Sequence, residues 1–188
     1  YSRNDESSVC VDCASGKFAS SARGTNCTTC PPGNYTVDRV GSSSCVHCEP
    51  GTFSDDDEGS FACEDCPSGR HASSSMSTSC AICGLGTRSE SKVRSVSCVS
   101  CAAGSYSDRN ESVECLDCPT GSYTPLNGSS ACTVCPPGNH TIDRIGSSSC
   151  VKCTAGTYSA SADGSVLCTE CVGGTFAASN GSTACESC

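Results

Sequence analysis

Residues 30–48 read CPPGNYTVDRVGSSSCVHC and residues 135–153 read CPPGNHTIDRIGSSSCVKC, nearly the same sentence written twice, 105 residues apart. Each copy opens on a cysteine, reaches a glycine three residues later, passes a polar stretch with a second glycine, and closes on C-x-x-C. The same grammar runs through the whole chain. All 22 cysteines fall into eleven C-x-x-C pairs, at 10/13, 27/30, 45/48, 63/66, 80/83, 98/101, 115/118, 132/135, 150/153, 168/171 and 185/188, and successive pairs start 17 or 18 residues apart. A short fixed period marks a tandem array in which each repeat packs mainly on its neighbours.

The array is read as one continuous run over residues 1–188, with a partial repeat at 1–9 and ten full repeats over 10–188. Six repeats add to 105 residues, and residues 1–83 match 106–188 at 39 of 83 positions. The two opening sentences are thus the same repeat in successive blocks, 1–105 and a partial 106–188. Tyr1-Ser2 aligns with Tyr106-Ser107 in mid-repeat, and Cys188 opens a repeat that does not close. The expectation is a piece of a longer array, or bonds from Cys10 and Cys188 to partners outside this stretch.

Only 36% of the residues are apolar, cysteines included, with no Trp, one Met and nine aromatics. That is too little apolar area to offset a backbone entropy cost of roughly 1–2 kcal/mol per residue, so covalent links must replace a hydrophobic core. Cysteine at this density implies a disulfide scaffold in an oxidising compartment. The net charge of −9 argues against nucleic acid or an anionic membrane as partner. No apolar run within 1–188 approaches the roughly 20 residues of a membrane span.

The first glycine is present in all ten repeats, as Gly16, Gly33, Gly51, Gly69, Gly86, Gly104, Gly121, Gly138, Gly156 and Gly174. A glycine in every copy predicts positive φ or a close approach to the neighbouring repeat. The second, as in Gly24, Gly41 or Gly146, reads as turn chemistry. Eight of nine aromatics fall in one column (Tyr1, Phe18, Tyr35, Phe53, Tyr106, Tyr123, Tyr158 and Phe176), which predicts rings packed on disulfides and glycines. His71, Arg88 and His140 interrupt the column, and the repeats from Cys66 to Cys98 depart most from the pattern, where a bend or an outside contact is expected. The fold class is small disulfide-rich β: an elongated rod or solenoid of 17–18-residue hairpin loops without a large hydrophobic core.

Two periodic disulfide patterns fit the spacing. Either the second cysteine of each pair bonds the first of the next, or repeats couple in twos, as 10 to 27 with 13 to 30. Eleven pairs leave a remainder in the second scheme and the repeats show no alternation of type, which favours the first, but sequence alone does not fix connectivity.

The string C-x-x-G-x-Y followed by a cysteine 14 or 15 positions after the first, as in CPPGNYTVDRVGSSSC and CPTGSYTPLNGSSAC, resembles the ephrin-receptor-like cysteine-rich repeat and the first module type of tumour-necrosis-factor receptors. The resemblance covers the whole chain, although the double-disulfide modules of those receptors are missing. In the latter family one disulfide closes this loop. The resemblance therefore implies Cys13–Cys27, Cys30–Cys45, Cys48–Cys63, Cys66–Cys80, Cys83–Cys98, Cys101–Cys115, Cys118–Cys132, Cys135–Cys150, Cys153–Cys168 and Cys171–Cys185, with Cys10 and Cys188 left for outside or inter-chain bonds. It carries over no ligand-contact residue.

Six of the seven asparagines lie in N-x-S/T: Asn26, Asn34, Asn110, Asn127, Asn139 and Asn180. That excess predicts N-linked glycans on an extracellular protein. No other cofactor is implied. C-x-x-C pairs taken in twos would suit zinc, but eleven pairs cannot all be so divided and the sequons point to an oxidising space. Asp55, Asp56, Asp57 and Glu58 lack any EF-hand spacing, so Ca²⁺ is not expected there. His47, His71 and His140 lie in different repeats with no nucleophile or acid at a catalytic spacing, and no enzyme is expected.

The function expected is structural: a glycosylated, repetitive subunit of an extracellular filament or cell-surface appendage, such as a flagellar-hair or mastigoneme-like fibre, self-associating with further copies of the repeat. The alternative is the stalk or ectodomain segment of a cell-surface receptor or adhesin that binds a protein ligand.

Overall fold

The computed structural model describes residues 12–21 and 26–188. Cys10, Tyr1 and Gly24, singled out in the sequence, lie outside the described residues. Contacts divide the chain into two compact bodies. One holds the described residues up to Pro67 with His71–Ala81 and Val93–Val96; the other holds Ser68–Arg70, Ile82–Lys92 and Ser97–Cys188. Both are built from the same small disulfide-rich β repeat.

Each repeat starts as a four-residue turn. In the first body Lys17 N–H donates to Ala14 O at 3.0 Å and Asn34 N–H to Pro31 O at 3.1 Å; in the second Ser105 N–H donates to Ala102 O at 2.9 Å. The conserved-by-repetition glycine takes the third position of this turn, where φ must be positive: +78° at Gly33 and +86° at Gly104. The chain then enters a strand of two or three residues, loops back, and pairs antiparallel with the strand at the next C-x-x-C. Asn34–Thr36 pairs with Cys45–His47, Tyr35 opposite Val46, and Asn139–Thr141 pairs with Cys150–Lys152, His140 opposite Val151. Such hairpins are too short to stand alone in water.

Two devices hold them. The first is covalent: among the described residues ten disulfides join cysteines at sequence separations of 14 or 15, from Cys13–Cys27 through Cys171–Cys185. Closing a loop of that size is worth about 3 kcal/mol in the chain-entropy account. The second is a backbone ladder between consecutive repeats. In the first body Ala19, Thr36, Ser54 and Ala72 donate their N–H to the carbonyls of Ser42, Ser60, Ser77 and Ser95 at 2.9–3.1 Å. In the second, Ser89, Ser107, Thr124, Thr141 and Ser159 donate to Ser112, Ser129, Ser147, Ser165 and Ser182 at 2.9–3.2 Å. A further rung runs the other way, with Gly41 N–H to Cys13 O and Gly146 N–H to Cys118 O, both 2.9 Å.

The core is correspondingly small. Among the described residues the buried apolar side chains are cysteines and two alanines, Ala72 and Ala177. Around them lie the ladder residues Thr36, Ser54, Ser89, Ser107, Thr124, Thr141 and Ser159, all buried. The aromatic column sits outside this line, half-buried except for the more exposed Phe176. Phe53 packs on Cys66, Ala72 and Cys80 of the following repeat.

Repeats also meet at second-neighbour distance. The first glycine of one repeat lies against the carbonyl of the positive-φ residue two repeats on: Gly33 against Met76 in the first body, Gly104 against Gly146 in the second, so close that a Cβ would overlap the carbonyl. Gly104→Ala is therefore expected to lower stability by about 2–3 kcal/mol, through both the strained φ and the overlap. Gly84→Ala, at a glycine with open space around it, should change it by no more than about 0.5 kcal/mol. Guanidinium unfolding of the oxidised protein checks both. In a parallel scan with a phosphine reductant, cooperative thermal unfolding should disappear, since two- and three-residue strand pairs and the ladder do not hold hairpins this short without the disulfides.

Candidate functional site

Because the interior consists of backbone, cysteine and small side chains, the variable chemistry sits on the tips of the loops. Among the described residues, each tip ends on a residue of positive φ four positions before the cysteine that closes the hairpin. Six of these are glycines (41, 59, 128, 146, 164 and 181), and three in consecutive repeats are Met76, Arg94 and Glu111, with φ of +62°, +56° and +60°. This is the local counterpart of the irregular stretch in the sequence. Two of the three are tied down by ion pairs: Arg94 reaches Glu49 and Asp65, each at 3.5 Å, and Glu111 accepts from Arg70 at 2.6 Å. These pairs are half-exposed and contribute little to stability. Their effect is to set side chains where other repeats have none.

The residue just before the positive-φ position differs from repeat to repeat. It is Asn110, Asn127 and Asn180 in three repeats, Val40, Val93 and Ile145 in three others, Glu58 and Asp163 in two, and Ser75 in one. The asparagines are exposed. Asn127 Oδ1 accepts from Ala103 N–H and Asn180 Oδ1 from Ala155 N–H, both at 2.9 Å, which orients each amide while leaving Nδ2 outside that bond.

Asn34 is placed otherwise. It is 4% exposed, and its Nδ2 donates to Pro31 O at 3.2 Å and Pro32 O at 3.1 Å while Oδ1 accepts from His47 Nδ1 at 2.6 Å. Asn139, its counterpart one block later, makes the same two bonds to Pro136 and Pro137 and is half-buried. A glycan on Nδ2 would remove one of the two donor hydrogens and would need space the turn does not have. Asn26 is exposed, one residue before the Cys13–Cys27 bridge. Glycopeptide mass spectrometry of native material is therefore expected to find glycans at Asn110, Asn127 and Asn180 and an unmodified Asn34.

The remaining sequence candidates are placed as follows. Cys188 is a free, exposed thiol. Asp55, Asp56 and Asp57 line an open recess of about 500 Å³ with Phe61 and Glu64, and Asp56 Oδ1 accepts from Glu58 N–H at 2.8 Å. Arg39 stacks over the Phe61 ring at 4.6 Å from its centre. His140 reaches the sulfur of Cys168 in the following repeat, Nδ1 to Sγ 3.1 Å, beside Cys153. Both sulfurs of that cluster belong to one disulfide and are not thiolate ligands as they stand. No helix among the described residues is long and apolar enough to cross a membrane.

What the sequence reading missed is the serine column, Ser42, Ser60, Ser77, Ser95, Ser112, Ser129, Ser147, Ser165 and Ser182, whose carbonyls carry the ladder, and the buried small column that donates to it. The signal was available: a serine follows the tip residue in each of these repeats. It was hidden because serine is common everywhere in this chain.

Comparison with curated proteins gives no match. Among protein families, the one described as tyrosine-protein kinase ephrin type A/B receptor-like matches residues 1–44, 38–83, 86–130 and 104–149, well over half of the chain. The chain belongs to this ephrin-receptor-like family of cysteine-rich repeats.

Proposed function

We propose that this protein is a structural glycoprotein, a repetitive subunit of an extracellular filament or cell-surface appendage, which associates with further copies of the same repeat. Family membership and the density of disulfides support an extracellular ectodomain segment, since such bonds persist in oxidising space. We assign it no catalytic activity.

One observation carries the structural reading. The two near-identical stretches keep large apolar side chains on the outside of the loop in both copies. Val37 and Val40 are each 63% exposed, and Ile142 and Ile145 are 52% and 61% exposed, beside the buried Thr36 and Thr141. Between the copies Val changes to Ile at both positions, so the apolar, β-branched character is retained where hydration alone would favour a polar side chain. Asp38-Arg39 and Asp143-Arg144 stand between the apolar pairs. A surface with both charges flanked by apolar groups is complementary to itself, and it recurs once per six-repeat block, as lateral contacts in a periodic assembly would.

A second reading rests on the family: an ectodomain or stalk segment of a receptor or adhesin that binds a protein ligand. Electron microscopy and sedimentation of the oxidised, glycosylated protein separate the two. The structural reading expects fibres with an axial repeat commensurate with the repeats, and loss of association in the V37D/V40D/I142D/I145D variant with all disulfides retained. A protein that stays monomeric at every concentration overturns it and leaves the receptor or adhesin reading.

A further inference from the structure

In the column where Tyr35 stands in the first block, the second block has His140, and the change puts an imidazole against a disulfide. Nδ1 lies 3.1 Å from Cys168 Sγ, and a ring nitrogen and the sulfurs of Cys153 and Cys168 lie within 4.8 Å of one another. A disulfide sulfur has no hydrogen to give, so it accepts and Nδ1–H donates. The two sulfurs differ in access. Cys153 is fully buried, whereas Cys168 is half-exposed.

We propose that Cys168 is a thiol-exchange site, a point at which a low-molecular-weight external thiol enters the array. The external thiolate attacks Cys168 Sγ in line with the S–S bond, that bond breaks, and its electron pair leaves on Cys153 Sγ. One disulfide is consumed and one is formed, a mixed disulfide on Cys168, and Cys153 takes up the proton that the incoming thiol lost. Negative charge is spread over three sulfurs in the transition state, and the Nδ1–H donor beside them stabilises it. Access determines which sulfur is attacked, and the imidazole raises the rate at this bond above that of its counterpart one block upstream.

The consequence is local. The 153–168 loop carries Gly164, on which Gly121 packs, and Ser165, whose carbonyl accepts the Thr141 rung. Opening this one bond frees the loop that the neighbouring repeats rest on while leaving their own disulfides closed.

The chain contains its own control. One block upstream, Cys48–Cys63 is the counterpart of Cys153–Cys168, and Tyr35, in place of His140, lines a recess together with Cys63. The experiment is exposure of the native, oxidised protein to reduced glutathione, acid quench, alkylation and peptide mapping. Glutathione is expected on Cys168 about tenfold or more faster than on Cys63. H140Y should bring the Cys168 rate down to that of Cys63, and Y35H, a gain that misfolding of a single repeat would not confine to one sulfur pair, should raise Cys63. Equal rates at the two bonds, an H140Y protein that exchanges as fast as the parent, or glutathione on Cys153 in place of Cys168 would each overturn the proposal.

Discussion

The structure depends on a backbone ladder that joins each hairpin to the next. A two-residue strand pair buries almost nothing, so a repeat acquires its stability only when its remaining N–H and C=O groups are paired outside it. The rung from Thr36 to Ser60, or from Thr124 to Ser147, supplies that pairing. It also limits what can lie between repeats. With backbones this close, the facing side chains must be Ser, Thr, Ala or Cys, and a turn glycine such as Gly33 or Gly104 must stay a glycine because a carbonyl from two repeats on occupies the place of its Cβ.

Disulfides and ladder divide the task. The disulfide fixes the width of each hairpin and replaces the apolar core that the composition denies it; the ladder fixes the spacing of hairpins along each body. Neither uses large side chains. Valine, isoleucine and leucine are consequently left outside, as at Val40, Leu126 and Leu167, and no packing requirement dictates what the loop tips carry. The scaffold is repeated almost unchanged while one position per repeat is free to be asparagine, serine, a β-branched residue or an acid. The tips are where successive repeats of this chain differ most in the chemistry they offer to solvent.

Membership of the ephrin-receptor-like family describes the scaffold and says little about the tips. The family motif consists of the cysteines, the turn glycine and the ring after it, and in the structure these make the hairpin and its contact with the next repeat. Arg94 and Glu111, Asn127 and Asn180, and the exposed apolar loops of residues 37–40 and 142–145 all lie outside that motif. The irregular repeats between Cys66 and Cys98 keep the hairpin and alter the tip, replacing glycine at positive φ by Met76 and Arg94.

The sequence by itself determined the period, the use of cysteine in place of a core, and the special backbone at the first glycine, because each rests on a residue type with a single physical use at that spacing. It also located the aromatic column, though the rings lie beside the buried line of the repeat and the line itself is cysteine and hydroxyl side chains. Tertiary structure alone decided the rest. Asn34 and Asn127 have the same sequon, yet one is folded into its turn and the other stands outside, a difference set by which carbonyls the chain brings to Nδ2. Tyr35 and His140 occupy one column, yet only the histidine places a donor on the sulfur of the next repeat. The residues were legible; which of their polar groups meet was not, because that is set by how the turns fold and the hairpins stack.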